Sequence, residues 1–187
     1  NVPVVNEEGT VTIRTEQCQA CGLCLSICPA YAIKFRSNYA EEAFNSVEPA
    51  VQELLKRRNG QPALLALTCA YGGFALPEFL KFKAEDAAIV RYPCVSKVDP
   101  VHLLRAIEQG VDGIIVVGCA DDDKFDCPYK EGGYWIKKRI EHAQNLLEEL
   151  GLGKDRIIFT ELSGLEMDKF GTVLSEAAEK FRELGLS

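Results

Sequence analysis

The eight cysteines of this 187-residue chain are unevenly distributed, and they constrain its fold more than any other feature. One group lies within residues 18–28 and contains Cys18, Cys21, Cys24 and Cys28. The other group is spread along the rest of the chain and contains Cys69, Cys94, Cys119 and Cys127. Disulfide scaffolds are typical of small secreted domains that have little hydrophobic core. This chain is long enough to bury a hydrophobic core of its own. The distribution therefore predicts two separate sites.

The first group has the spacing of the bacterial ferredoxin motif, with gaps of two, two and three residues and a proline after the last cysteine. Thiolates at this spacing can converge on the irons of a [4Fe–4S] cluster, and Gly22 leaves room where the backbone passes the cluster. Unliganded thiols or a zinc knuckle are the alternatives. In two-cluster ferredoxins the fourth cysteine ligates the other cluster. Cys28 therefore either completes its own cluster or reaches one outside this sequence.

The residues around this motif predict a small module and a connection. Residues 2–13, with turn residues at 6–9, indicate a short hairpin, and residues 32–35 indicate a strand. Residues 39–59 are charged and compatible with a helix, but Pro49 interrupts them. We interpret this segment as a linker whose second half, residues 50–58, is a helix ended by Gly60.

Short continuous apolar runs follow, at residues 63–68, 87–90, 113–117 and 156–160. Such runs suit strands buried on both faces of a parallel sheet. Helical patterns lie between and after them, over residues 77–83, 99–110, 133–150 and from Ser163 onward. Asp99 is a predicted N-cap, and Ser163 and Glu166 form a predicted capping box. The predicted fold class is α/β, a small open, mostly parallel four-stranded sheet with flanking helices (flavodoxin/Rossmann-like), preceded by a half-ferredoxin module.

The apolar faces of the helices can be predicted from their spacing. We expect the first helix after Asp99 to bury Val101, Leu104 and Ile107. The next is expected to bury Ile136, Ile140, Ala143, Leu147 and Leu150, and the last to bury Phe170, Leu174, Ala177, Phe181 and Leu184. The predicted domains are a ferredoxin-like module over 1–38, a helical linker over 39–60 and an α/β iron–sulfur domain over 61–187.

Three cysteines of the second group recur every 25 residues, and each follows a predicted strand. Cys69, Cys94 and Cys119 are therefore expected at one edge of the sheet, where open α/β sheets hold ligands. Cys127, on the loop that follows Cys119, can serve as a fourth ligand. Four thiolates suit [2Fe–2S], [4Fe–4S], zinc or a single iron, while a buried free cysteine can also be a simple core residue. Beside a ferredoxin motif, an electron-carrying cluster is the more coherent interpretation.

The net charge of −7 argues against nucleic acid as the main partner, because phosphate binding requires a basic face. Part of this charge lies between Cys119 and Cys127, in Asp121, Asp122, Asp123 and Asp126. These carboxylates would lower the potential of a nearby cluster or attract a basic partner, or they form a plain solvated loop. No apolar stretch reaches the length of a membrane helix and no signal peptide is evident, so a cytoplasmic location is expected.

Several segments carry a resemblance to a known family: residues 68–73, 92–100, 110–119, 126–129 and 131–133. They resemble the delta subunit of the methyl-viologen-reducing hydrogenase of methanogens. The same domain is fused to the A subunits of some heterodisulfide reductases and to the B subunit of the quinone-interacting membrane-bound oxidoreductase. The resemblance covers about residues 62–165. This chain departs from the family in its longer gap before Cys127, in Ala120 and Pro128 where histidines are common, and in lacking a cysteine shortly before Cys69.

The resemblance implies a [2Fe–2S] cluster on Cys69, Cys94, Cys119 and Cys127. It implies an electron relay between a hydrogenase or dehydrogenase and a flavin-bearing heterodisulfide-reductase-A-like protein, with a peripheral place on a membrane complex as a further option. No nucleophile–base pair or nucleotide-binding motif is present in the sequence, so we expect a non-catalytic component of an oxidoreductase. The alternatives are a structural zinc module with four cysteine ligands and an enzyme whose cluster is its catalytic centre.

Overall fold

The structure is a computed structural model that describes residues 3–18, 22, 24, 28, 32–33, 39–58, 60–69, 87–92, 94–120, 131–162 and 169–184. It begins with an antiparallel hairpin of β1 (Pro3–Val5) and β2 (Val11–Ile13). The side chain of Asn6 closes the turn, because its Oδ1 accepts hydrogen bonds from the amides of Glu8 (3.2 Å) and Thr10 (2.7 Å). The predicted hairpin is confirmed. Ala32 and Ile33 lie outside any strand, and the remainder of that predicted strand lies outside the described residues.

Four apolar segments form one parallel sheet in the order β4-β3-β5-β6. The strands are β3 (Leu64–Cys69), β4 (Ala87–Tyr92), β5 (Gly113–Cys119) and β6 (Ile157–Leu162). Every residue of β3 is buried, as expected for a strand covered on both faces. The predicted fold class is confirmed, and each strand ends one or two residues later than predicted. Cys69 and Cys119 are therefore the last residues of their strands.

Helices cover both faces of this sheet. One face packs against α1 (Tyr39–Arg57), α2 (Pro100–Glu108) and α3 (Glu131–Glu149), and the other packs against α4 (Lys169–Glu183). The predicted N-cap of α2 is confirmed, because the Asp99 side chain accepts a hydrogen bond from the amide of Val101 (3.0 Å). No helix in the described part of the chain combines the length and the apolar character that crossing a bilayer requires. The predicted helix at 77–83 and the predicted capping box at Ser163 and Glu166 lie outside the described residues.

The prediction that Pro49 interrupts the segment before the sheet was wrong. One helix, α1, runs through Pro49 from Tyr39 to Arg57. Val47, Val51 and Leu54 recur on one face of this helix and are buried against the sheet. Burial of that face offsets the local cost of a proline within a helix. The segment interpreted as a linker therefore contributes to the core.

The predicted apolar faces of the last two helices were correct except at their ends, whereas in α2 only Ile107 of the predicted set is buried and Leu104 is partly buried against the core. In α2 the buried residues are Leu103, Ala106 and Ile107, whereas Val101 is 50% exposed. Leu150 and Leu184, predicted to be buried, are exposed. The other predicted core residues of the last two helices are buried: Ile136, Ile140, Ala143, Leu147, Phe170, Leu174, Ala177 and Phe181.

Gly113, the first residue of β5, lies directly against the ring of Phe181 in α4, and a Cβ at this position would overlap the ring. We expect Gly113→Ala to lower the free energy of unfolding by about 1–3 kcal/mol, because the added methyl overpacks a full core. Urea denaturation of the purified protein measures this change.

A second substitution tests whether this contact is the cause. Phe181→Leu removes the ring, so the double variant Gly113→Ala/Phe181→Leu should lose less stability than the sum of the two single variants. Strict additivity would show that the glycine is required for another reason.

Candidate metal centre

Three of the four cysteines in the second group lie at one edge of the sheet. Cys69 ends β3, Cys119 ends β5, and Cys94 comes two residues after the end of β4. Because β4, β3 and β5 are neighbours and parallel, these residues share the carboxyl edge, as predicted. Cys69 and Cys94 are buried, and Cys119 is half-buried. None of the three forms a disulfide within the described part of the chain.

Cys69 and Cys119 form a close pair at this edge. Their Sγ atoms are 3.2 Å apart, with the Cys119 thiol donating to the Cys69 sulfur. This separation is well beyond the S–S bond length of a disulfide, which is about 2.05 Å. The two central strands therefore present two thiols side by side.

Cys94 is held by a rigid turn. The Ser96 hydroxyl donates a hydrogen bond to the Cys94 Sγ over 3.1 Å. Residues Val95–Lys97 form a 3₁₀ turn, and the guanidinium of Arg139 in α3 donates to the carbonyl oxygens of Ser96 (3.3 Å) and Val98 (3.0 Å). The sulfur of Cys94 consequently has a fixed position and a hydroxyl donor.

The first turn of α3 lies against the same sulfur. A Cβ on Gly132 would be 3.0 Å from the Cys94 Sγ, which is tighter than ordinary packing, so the backbone can come this close only because the residue is glycine. The amino end of a helix carries partial positive charge and unpaired backbone amides. This end of α3 therefore favours negative charge on the sulfur.

Two buried hydroxyls flank Cys69. Thr68 precedes it in β3, and Tyr92 is its register partner in β4. Neither Thr68 Oγ1 nor the Tyr92 hydroxyl has a hydrogen-bond partner within the described part of the chain, and both residues are 0% exposed. Burial raises the pKa of the Tyr92 phenol, so it remains a protonated donor. Buried hydroxyls require acceptors, and a sulfur ligand with negative charge on the sheet face that Cys69 and Tyr92 share would provide one for the Tyr92 hydroxyl. Thiols and donors of this kind fit an iron–sulfur group.

The described residues do not complete a metal site by themselves. Among them, no three cysteine, histidine, aspartate or glutamate side chains form a group that could hold a metal ion. Cys127 and the acidic residues 121–126 lie outside the described residues, so their predicted roles remain predictions. Of the two histidines, His142 is exposed and His102 is half-buried. Burial lowers the pKa of His102, and Arg105 and Arg139 lower it further against the opposing effect of Asp99.

The first cysteine group is described in part. Cys18 is exposed, Cys24 and Cys28 are half-buried, and Cys21 lies outside the described residues. The amide of Cys28 donates to the carbonyl oxygen of Cys24 over 3.2 Å, which closes a turn between them. Gly22 has a left-handed φ of +81°, a conformation that favours glycine. It is buried, and its α-carbon faces the side chain of Lys97.

Sequence reasoning missed the residues that surround the thiols. Ser96, Lys97 and Arg139 act through contacts between distant segments, which spacing along the chain does not reveal. Gly132 was noted in the sequence only within the family-like segment 131–133, and its close approach to Cys94 was not predicted. Gly132 lies shortly before the apolar pattern of α3 begins. A glycine at this position was the available signal that the helix backbone approaches another segment closely.

Comparisons with known proteins extend these observations. The family model described as "Methyl-viologen-reducing hydrogenase, delta subunit" matches residues 63–185, and the model described as "4Fe-4S binding domain" matches residues 11–34. The iron-sulfur D subunit of the F420-non-reducing hydrogenase vhu of Methanocaldococcus jannaschii is 33% identical over 129 residues, which are 66% of this chain and 93% of that protein. The iron-sulfur D subunit of the F420-non-reducing hydrogenase of Archaeoglobus profundus is 39% identical over 118 residues, which are 63% of this chain and 84% of that protein.

A third relative is much longer than this chain. The A subunit of the ferredoxin/F420H2-dependent CoB-CoM heterodisulfide reductase of Methanosarcina acetivorans is 27% identical over 139 residues, which are 72% of this chain but 17% of that protein. The resemblance inferred from the sequence segments is confirmed, because a single family model matches most of the chain. This chain belongs to the methyl-viologen-reducing hydrogenase delta subunit family and carries a 4Fe-4S binding domain ahead of the family region.

Proposed function

We propose that this chain is an iron–sulfur electron-transfer subunit or domain that carries electrons between two clusters and a flavin-bearing partner. In this proposal a [4Fe–4S] cluster is held by the first cysteine group, Cys18, Cys21, Cys24 and Cys28. A [2Fe–2S] cluster is held by the second group, Cys69, Cys94, Cys119 and Cys127. When bound, such clusters accept and release single electrons.

The proposal depends most on the separation of 3.2 Å between the sulfurs of Cys69 and Cys119. Each iron of a [2Fe–2S] cluster takes two protein thiolates, so this pair suits one iron. Cys94, on the neighbouring strand end, and Cys127 would then serve the other iron. In a [2Fe–2S] cluster each iron therefore needs only two protein thiolates close together. A tetrahedral zinc ion would instead need four ligands around one metal ion.

The surrounding residues have an electrostatic role in this proposal. The Ser96 hydroxyl donates to the Cys94 sulfur, and the first turn of α3 lies against the same sulfur. We propose that the buried Tyr92 hydroxyl also donates to a cluster sulfur. Such groups stabilise negative charge and raise a cluster's potential. The buried core beneath the strand ends excludes water, so little solvent has to reorganise when an electron arrives.

The domain division that we propose follows the two cysteine groups. A 4Fe-4S module covers residues 1–38, a helical connection covers residues 39–60, and the α/β iron–sulfur domain covers residues 61–187. The connection contains α1, whose buried face packs against the sheet. The helical connection between the 4Fe-4S module and the α/β domain is therefore also part of the hydrophobic core.

The partners are proposed from the names of the relatives, which describe hydrogenase subunits and a heterodisulfide reductase subunit. These names support a shared complex with a hydrogenase and a heterodisulfide-reductase-A-like protein. That this partner bears a flavin, and that a dehydrogenase can replace the hydrogenase, are proposed from the family resemblance. The net charge of −7 suits a partner with a basic docking face. We further propose that this exchange takes place in the cytoplasm.

Metal and sulfide analysis of protein purified without oxygen tests this function. We expect about six iron atoms and about six acid-labile sulfides per chain, with no zinc. Reduction with dithionite should produce two distinct electron paramagnetic resonance signals. About four iron atoms with about one zinc would instead identify the second site as a structural zinc module with four cysteine ligands.

The hydrogen bond from Ser96 to Cys94 leads to a prediction about the potential. Ser96→Ala removes a donor that favours the more negative, reduced state, so we expect the potential of the second cluster to fall by about 30–60 mV, where about 59 mV is a tenfold change for one electron. An anaerobic redox titration followed by electron paramagnetic resonance measures this shift.

Ser175→Ala is the matched control, because the Ser175 hydroxyl is exposed and donates to the carbonyl oxygen of Gly171 within α4. It should leave the potential unchanged. An unchanged potential in Ser96→Ala as well would mean that the Ser96 hydroxyl does not interact with a cluster ligand.

A further inference from the structure

We propose that the side chain of Lys97 joins the two cysteine sites and holds them at a fixed separation. The proposal rests on the function proposed above, in which both sites carry clusters, and it assigns the contact that positions one cluster loop against the other. The contact consists of the aliphatic stem of Lys97 against the backbone of Gly22.

Gly22 provides the surface for this contact in the first cysteine group. It lies between Cys21 and Cys24, and it is buried. A Cβ built on Gly22 would lie 3.1 Å from Cε and 3.3 Å from Cδ of Lys97, and it would overlap Cγ. The stem of Lys97 therefore occupies the space that a side chain at position 22 would need.

Lys97 is part of the turn that holds Cys94 in the second site. It ends the 3₁₀ turn Val95–Lys97, and its amide donates to the carbonyl oxygen of Cys94 over 3.1 Å. Arg139 fixes the same turn through the carbonyl oxygens of Ser96 and Val98. The Nζ atom of Lys97 is itself shielded from solvent. The aliphatic stem of Lys97 therefore packs as an apolar group against Gly22.

The contact has a direct consequence for electron transfer. Lys97 is three residues from Cys94, and Gly22 is one residue from Cys21 and two from Cys24, so the contact brings ligand-bearing segments of both sites together. Electron tunnelling slows exponentially with distance, so the separation of the clusters sets the rate of exchange. One cluster loses the electron that the other gains, and no bond or proton changes.

The test compares three variants of the full chain. Lys97→Ala removes the stem, Lys97→Met retains a stem of similar length without the charge, and Lys138→Ala removes a 58% exposed lysine on the outer surface of α3. Each protein is first checked for iron and sulfide. After full reduction with dithionite, the magnetic interaction between the two paramagnetic clusters is measured, and this interaction falls with the inverse cube of their distance.

We expect the interaction to be weaker in Lys97→Ala and unchanged in Lys97→Met and Lys138→Ala. An unchanged interaction in Lys97→Ala overturns the proposal, and so does the absence of any interaction in the parent protein when both clusters are present. A loss equal in Lys97→Ala and Lys97→Met also overturns it, because charge rather than the stem would then be responsible.

Amide hydrogen exchange gives a second readout that does not require the second cluster. In Lys97→Ala we expect exchange within residues 18–28 to become about tenfold faster, because the segment loses its packing partner. Lys97→Met should exchange like the parent. If metal analysis finds no iron at the second site, the proposed function fails while this measurement still decides whether Lys97 holds the loop. Equal exchange rates in the parent and Lys97→Ala would contradict the contact.

Discussion

Replacing Cys119 with alanine should remove the second cluster and leave the first. We expect iron to fall from about six to about four atoms per chain, with an equal loss of sulfide, because the remaining thiols cannot complete a four-thiolate set. The electron paramagnetic resonance signal of the proposed [2Fe–2S] cluster should disappear. Cys119 is the better choice than Cys69, because it is half-buried at the sheet edge and its loss disturbs the core less.

The reciprocal variant is the control for this result. Cys18→Ala should lose about four iron atoms and retain about two, because Cys18 lies in the other cysteine group. The two variants together separate the sites chemically. Retention of all iron in Cys119→Ala would contradict the ligand assignment, and simultaneous loss of both clusters in either variant would contradict their independence.

The second large effect is on stability, at the edge of the sheet opposite the cysteines. Asp112 is 5% exposed, and its Oδ2 accepts a hydrogen bond from the amide of Ala63 (2.7 Å) and pairs with the guanidinium of Arg58 (2.9 Å). Asp112→Ala leaves a buried amide without an acceptor and a partly buried guanidinium without its partner. We expect the free energy of unfolding to fall by about 2–4 kcal/mol, measured by urea denaturation.

Two further variants divide this effect between its causes. Asp112→Asn retains an acceptor for the amide of Ala63 and should lose roughly half as much stability. Arg58→Ala should cost less than Asp112→Ala, because 25% of the Arg58 side chain is exposed and water partly replaces its partner. A stability loss in Arg58→Ala equal to that in Asp112→Ala would assign the whole effect to the ion pair and none to the amide.

The sequence predicted those parts of the fold that local patterns determine. Continuous apolar runs identified the four described strands of the parallel sheet, because strands buried on both faces have no polar alternation. Asp99 was recognised as an N-cap from its position before Pro100. The course of α1 could not be predicted, since the local cost of Pro49 is outweighed by burial of Val47 and Val51 against a sheet that lies later in the sequence.

The same distinction applies to the site. The recurrence of cysteines after strands predicted that Cys69, Cys94 and Cys119 would share an edge, because parallel strands all end on the same side. Spacing could not predict the donors around them. Ser96 depends on the form of one turn, and Arg139 reaches that turn from a helix more than 40 residues later. Such contacts follow from tertiary packing, and the pattern of residues along the chain does not reveal them.

The position of Asp112 also bears on how the protein matures. Asp112 and Ala63 tie the two central strands together at the end where both begin, and Asp112 anchors the end of α1 there as well. None of these bonds involves a cysteine, so this end of the sheet is held together without iron. A half-exposed Cys119 remains accessible at the other end. We therefore expect the sheet to form before any metal is bound at the cysteine edge.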